Sequence, residues 1–413
     1  MSARAAAALA AAMGVGRFVY TPILPLMTAQ AGLSLSSAAS LATANYLGYF
    51  VGALATVVRA PSRAANRVAL VLLVATLAGM PLTHGMAAWF VLRLLAGVAS
   101  AVVFVAAVNS RPGWGMSGVG VGIALSGVLV LVWGQWQAAW WVSAGLAALL
   151  AVWAWALEPD VRGADARGVD TAAEAQPDAS ELSDLPETIG VGARLPLGAG
   201  ESGSIQDPRE GGSPRQTARP SQPARQTTRA SRSTRRAFAF LFAAYTLEGV
   251  GYIIAATFLV AAISGPLGGS AWILVGLSAA LSPILIKPSR NALPAALAVQ
   301  AIGIALPAAI AGSALIGTIL FGGTFIGVAA TALKQGTDLG FPRAAATLTA
   351  GYSAGQVLGP LLATPLLHNG YNHALLLAAA IVALAAVTAP APPSRRRLAS
   401  RTPRRSPPAA PAE

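Results

Sequence analysis

The chain has no cysteine among its 413 residues, which excludes disulfides and thiol chemistry and says nothing about redox compartment. Charge is nearly as scarce. Only 10% of the residues are Asp, Glu, Lys or Arg, against about 25% in a soluble globular chain. Histidine occurs three times, at His84, His368 and His373, each near a break between apolar runs. A single carboxylate, Glu248, lies deep inside an apolar run. An intramembrane enzyme, such as a lipid-linked transferase, would need paired acids or a metal cluster at one membrane face, and these residues do not supply them. Two glycine-rich stretches are not nucleotide loops either. No strand or helix flanks Gly190-Val191-Gly192, and Gly118-Val119-Gly120-Val121-Gly122 has neither a preceding strand nor an acidic ribose partner after it. No enzyme activity, cofactor or metal is expected.

What the sequence has in abundance is apolar surface, at 55% of residues. A charge at the centre of a bilayer costs roughly 2.5 kcal/mol or more, so hydrocarbon explains the scarcity of charge. A spanning helix takes about 20 mostly apolar residues. Candidates fall near 5–28, 36–58, 68–83, 86–109, 116–134, 137–157, 237–263, 270–287, 291–311, 313–333, 345–367 and 371–390. The fold class expected is an all-α membrane protein of about twelve transmembrane helices. The first run imitates a secretory signal ending at Ala29-Gln30-Ala31, but it is too long and holds Arg17, Pro22 and Pro25, so it reads as a retained helix.

The placement of charge gives the topology. Of the 15 acidic residues, twelve lie between Glu158 and Glu210. Arg59, Arg63 and Arg67, then Arg111, then eleven arginines from Arg162 to Arg236, then Lys287 and Arg290, then Lys334 and Arg343 occupy every even break. The odd breaks hold no Lys or Arg. Positive loops stay inside, so both termini are expected in the cytoplasm. The net charge of +13 is then a property of cytoplasmic loops and not a nucleic-acid footprint. Trp133, Trp136, Trp140 and Trp141 cluster at one external break, as interfacial anchors do.

Residues 159–236 are rich in Pro, Gly, Ser, Thr and Arg and poor in aromatics, a composition that cannot offset its ordering entropy. The expected organisation is a six-helix bundle over 1–158, a disordered cytoplasmic linker over 159–236, a second bundle over 237–390 and a disordered tail over 391–413. A faint repeat supports two halves. Gly14-Val15-Gly16 recurs 235 residues later as Gly249-Val250-Gly251, and Gly118/Gly122/Ser126 recurs 233 residues later as Gly351/Gly355/Gly359. Parallel repeats of this kind build one large transporter class. Gly118, Gly122, Gly351, Gly355 and Gly359 put small residues on one helix face, for close packing and for bending or sliding as the halves rock.

Ionisable groups inside a membrane are functional candidates. Arg17 lies some 18 Å along helix 1, Glu248 at similar depth in helix 7, and Arg93 in helix 4. These three are expected to meet in a water-filled gap between the halves, lined by helices 1, 4, 7 and 10, either as a structural ion-pair set or handling substrate and protons. Tyr20, Asn45, Tyr49, Tyr252 and Gln356 add polar and aromatic groups suited to a small molecule. Two arginines against one carboxylate favour an anionic or carboxylate-bearing substrate. Desolvation and a neighbouring arginine act on a carboxyl in opposite senses, which makes Glu248 the candidate for proton coupling.

Gly14-Val15-Gly16-Arg17-Phe18-Val19-Tyr20-Thr21-Pro22-Ile23-Leu24-Pro25, Arg93-Leu94-Leu95-Ala96-Gly97 and Glu248-Gly249-Val250-Gly251-Tyr252 resemble the major facilitator superfamily, and more narrowly its bacterial YbfB/YjiJ-type branch. The resemblance implies two six-helix bundles and a secondary transporter of the bacterial inner membrane, working as a monomer. Arg93 and Gly97 match an Arg-x-x-x-Gly pattern that is tied to coupling in proton-driven members. The glycine face of helix 5 resembles the antiporter pattern without its Gly-Pro pair. Arg59, Arg63 and Arg67 resemble the gating loop, with Thr56 near the place of its usual acidic residue. The expected function is proton-coupled transport of a small organic solute by alternating access. A membrane sensor or scaffold acting through the linker is the rival reading.

Overall fold

The computed structural model describes residues 2–110, 113–159, 232–261, 267–287, 289, 291–369 and 371–390. Among these, twelve helical spans follow one another: α1 (Ser2–Gln30), α2 (Leu35–Val58), α3 (Arg63–Leu82), α4 (Met86–Asn109), α5 (Ser117–Trp133), α6 (Trp136–Ala154), α7 (Arg232–Ala261), α8 (Leu267–Leu285), α9 (Ala292–Ala309), α10 (Ala314–Asp338), α11 (Ala344–Ala363) and α12 (Tyr371–Thr388). Ten are long and apolar enough to cross a bilayer. The other two are α8 and α11, the latter diluted by Gly, Thr, Tyr, Ser and Gln. The expected tail over 391–413 and most of the expected linker lie outside the described residues. Helix α7 already begins at Arg232, ahead of the expected 237, and Arg235 and Arg236 near its start are exposed.

Position in the fold follows sequence polarity. Helix α1 is the most enclosed, with 83% of its apolar window buried, whereas α12 has 33%. Helices α3, α6 and α12 turn rows of aliphatic residues outward, among them Val68, Leu149 and Val387, the last 85% exposed. Such rows suit lipid, which leaves exposed apolar side chains without penalty. Two of the four expected tryptophan anchors are not anchors. Trp133 and Trp141 are exposed, but Trp136 and Trp140 are buried. Trp136 meets the Trp89 ring edge-on at 5.8 Å, and Trp140 lies beside Arg93. One turn of helix between 136 and 140 puts both on the face that packs inward.

The faint sequence repeat becomes a repeated contact. In the first half, a Cβ on Gly14 would strike the backbone of Gly122, so α1 and α5 touch backbone to backbone. In the second, a Cβ on Gly355 would strike Thr246, Val250 and Gly249 of α7. Gly118 likewise faces Ala6, while Gly351 and Gly359 face Phe242 and Ile253. Gly97 of α4 is pressed on Asn45 and Tyr49 of α2. The halves meet along two seams. At one, Gly120 of α5 lies on Ala280 of α8 while Gly276 of α8 lies on Ala124 of α5. At the other, Arg343 at the start of α11 donates through Nη1 to the carbonyls of Val57 and Val58 at the end of α2, both at 2.6 Å. Arg343 holds a φ of 52°, the left-handed region that side chains rarely adopt.

Candidate substrate and coupling site

The site begins with a break in α1. Residues Ala10–Arg17 form a π-helix, in which Phe18 N–H reaches back to the Met13 carbonyl. The next bonds shorten, Val19 to Val15 and then Thr21 to Phe18, and Pro22 follows with no N–H to give. Because Thr21 N–H turns to Phe18, the Arg17 carbonyl loses its ordinary helical donor. Helix α4 meets this stretch from one face. Arg93 Nη2 donates to the Arg17 carbonyl at 3.2 Å, Arg93 Nη1 lies 3.4 Å from the Gly16 carbonyl, and Ser100 Oγ lies 2.9 Å from the Ala12 carbonyl and 2.7 Å from the Ala96 carbonyl of its own helix. The Arg93 guanidinium rests over the Tyr20 ring at 4.8 Å. Tyr20 itself donates to the Ala38 carbonyl, and Asn45 Nδ2 donates to the Arg93 carbonyl at 3.0 Å. Arg93, Tyr20 and Asn45 thus form one assembly that braces the broken helix.

Arg17 projects the other way, into the gap between the bundles, and is 2% exposed. Its Nη2 donates to Gln356 Oε1 of α11, across the gap. A guanidinium only donates, so Gln356 must offer its oxygen, and its Nε2 is left without a partner among the described residues. The Arg17 guanidinium lies over the Tyr49 ring at 4.0 Å, with Tyr46 and Phe18 farther out at 5.6 and 5.5 Å. Apart from this contact with Tyr49, Arg17 Nε and Nη1 have no hydrogen-bond partner among the described residues. No carboxylate pairs with either arginine among the described residues.

Glu248 does not join them, which corrects the expectation that the three charges meet. It accepts a hydrogen bond from Gln300 Nε2 of α9 at 3.2 Å, in a niche lined by Ala244, Leu293, Leu297 and Val328. Tyr245 and Tyr252, at i−3 and i+4 on the same side of α7 as Glu248, stand between it and the gap: Tyr245 stacks on Tyr352 of α11 at 4.7 Å, and Tyr252 stacks on Phe325 of α10 at 4.3 Å. Phe18 enters the same aromatic layer edge-on, against Tyr252, Trp272 and Phe325. Nor is the gap filled with water. What remains is a cavity of about 20 Å³ walled by Met13, Phe18, Tyr49, Tyr245, Tyr352 and Gln356 among others, room for about one water molecule.

The pairing of Gln300 with Glu248 was missed from the sequence. A signal existed: Gln300 is the only residue of α9 with a hydrogen-bonding side chain, in a helix otherwise made of Ala, Leu, Ile, Val, Gly and Pro. Phe18 and Phe325 carried no such mark, since aromatic residues are ordinary core.

Two six-helix halves around a closed central site, with the first helix broken at a buried arginine, define a major-facilitator-type transporter. The chain belongs to the family described as "Uncharacterised MFS-type transporter YbfB", which matches residues 9–185 and 212–389. Among solved structures, the human organic anion transporter MFSD10 (TETRAN) is similar in fold, with a TM-score of 0.57 at 16% identity, covering 94% of this chain and 99% of that one. No curated protein sequence matches the chain. Family and fold make this a multi-pass membrane transporter of a small molecule, not an enzyme.

Proposed function

We propose that the protein moves a small organic anion across the bacterial inner membrane by alternating access, driven by protons, as a monomer with both termini in the cytoplasm. The observation that carries this reading is Arg17, a buried cation in the gap between the bundles, with donors to spare and only a neutral amide from the opposite bundle to hold. The orientation rests on the Arg and Lys of the even breaks. Residues 159–236 then connect the halves on the cytoplasmic side, and rocking of 1–158 against 237–390 exposes Arg17 alternately to each face.

Glu248 is the proton carrier in this scheme. It is a carboxyl with one amide donor and no cation beside it, so losing a proton there demands new surroundings. Those surroundings change when α7 moves, which ties proton exchange to transport. Its neighbours Tyr245 and Tyr252 link it mechanically through Tyr352 to Gln356, one turn along α11, and so to Arg17. In proteoliposomes under a proton gradient, Glu248→Gln should lose uphill accumulation and keep exchange of solute across the membrane. Uphill movement by Glu248→Gln at the rate of the parent would end the proposal. Deleting 165–230 should leave transport intact, whereas a scaffold acting through that segment would lose its function.

A further inference from the structure

The wall of the central cavity narrows the cargo, given the reading that the gap between the bundles is the transport site. From the geometry we infer that the cargo is a planar aromatic monocarboxylate, and that Gln356 holds its place on Arg17 while the carrier is closed.

Three observations carry this. First, the cation in the gap is single. Arg93 is turned to the carbonyls of Gly16 and Arg17, leaving Arg17 alone to face a ligand. Once the Gln356 oxygen leaves Nη2, that nitrogen and either Nε or Nη1 present a fork to one carboxylate, which can accept two parallel N–H bonds where the Gln356 oxygen accepts one. A carboxylate therefore displaces the amide with a gain of one charge-assisted bond. Second, the lining is rich in rings. Phe18, Tyr49, Phe104, Tyr245, Phe325 and Tyr352 line the cavity beside aliphatic and methionine side chains, and such rings accept another ring offset or edge-on at 4.5–7 Å. Third, the Tyr352 hydroxyl is buried in this wall without a partner, one turn from Gln356, where it can donate to a second oxygen of the cargo.

The Arg17–Gln356 bond joins α1 to α11, so it must break whenever the halves part. An amide that lets go only to a carboxylate makes opening of the loaded carrier easier than opening of the empty one. Nothing in this requires Glu248, so binding can be tested apart from coupling.

The test is thermal unfolding of the full chain in lipid nanodiscs, titrated with benzoate, benzamide, hexanoate and phthalate. Benzoate should raise the unfolding midpoint at concentrations at least tenfold lower than the other three. Gln356→Glu tethers a carboxylate on Arg17; its midpoint should match or exceed the parent, and benzoate should lose its effect by more than tenfold. Gln356→Ala removes the competitor and should bind benzoate several-fold more tightly. A residue that merely shapes the wall would not give opposite signs in these two variants. Equal protection by benzamide, or benzoate binding weakened by both substitutions or by neither, overturns the inference. Benzoate binding without movement of benzoate into proteoliposomes would instead refute the transport reading and leave the binding site standing. Transport of solutes without preference for aromatic carboxylates would refute this inference alone.

Discussion

Arg93 and Arg17 are the same residue type at similar burial, yet they do different work, because one finds backbone and the other finds an amide. Arg93 serves as a fork across the carbonyls of Gly16 and Arg17 at the break in α1. A lysine has a point charge and no fork. Arg93→Lys should therefore lower the unfolding midpoint, and Arg93→Ala should lower it further, by about 1–3 kcal/mol for buried acceptors left unpaired. Thermal unfolding of the purified variants checks this. An unchanged midpoint in Arg93→Ala would mean the carbonyls of Gly16 and Arg17 need no partner. The sequence disclosed which side chains were out of place in lipid, because burial of charge is costly wherever it occurs. It could not disclose their partners. Gln356 lies 339 residues from Arg17, and Gln300 lies 52 from Glu248. Such pairings depend on which helices adjoin, so three charges of similar depth looked like one ion-pair cluster, whereas Glu248 pairs with Gln300 and Arg17 with Gln356.

Helices were legible where a single rule made them so. Runs of about 20 apolar residues marked all twelve spans, and the alternation of basic breaks agreed with that count. The π-helical stretch of α1 was not legible, since Ala10-Ala11-Ala12-Met13 would be ordinary α-helix in isolation; it is tertiary contact with α4 and α5 that makes the wider turn affordable. The glycine repeat lies at close helix contacts in both halves. Gly355 has Val250 N and Gly249 C within about 3 Å of where a Cβ would stand, whereas Gly323 has open space there. Gly355→Val should destabilise by about 1–3 kcal/mol or prevent folding, as overpacking does. Gly323→Ala should be neutral or stabilising by up to about 1 kcal/mol. Unfolding midpoints of the two variants, with expression level as a second readout, distinguish them; similar behaviour would deny that α7 and α11 need backbone contact.

At the scale of the whole molecule, the two seams differ in kind. The α5–α8 seam is steric, small residues set into one another, and the α2–α11 seam is fastened by Arg343 on the last carbonyls of α2. A cation at a helix C-terminus is favoured by the helix dipole, and it needs no acidic residue in the α2–α3 break; Thr56, just inside the end of α2, bonds back to Ala53 of its own helix. Arg343→Ala should release that end. Because the chain has no cysteine, spin labels on cysteines introduced at Val58 and Pro342 can report the distance directly. The distribution should broaden toward longer values in the variant; an unaltered distribution would show that Arg343 fastens nothing.

The smallness of the central cavity has a consequence for anyone measuring affinity. A space fit for one water cannot admit a ring, so every binding isotherm includes the equilibrium between shut and receptive forms. If only one molecule in a hundred is receptive, the apparent dissociation constant is a hundredfold weaker than the contacts alone would give. Weak binding by this protein would then report the rarity of its receptive form and not a poor match between cargo and wall.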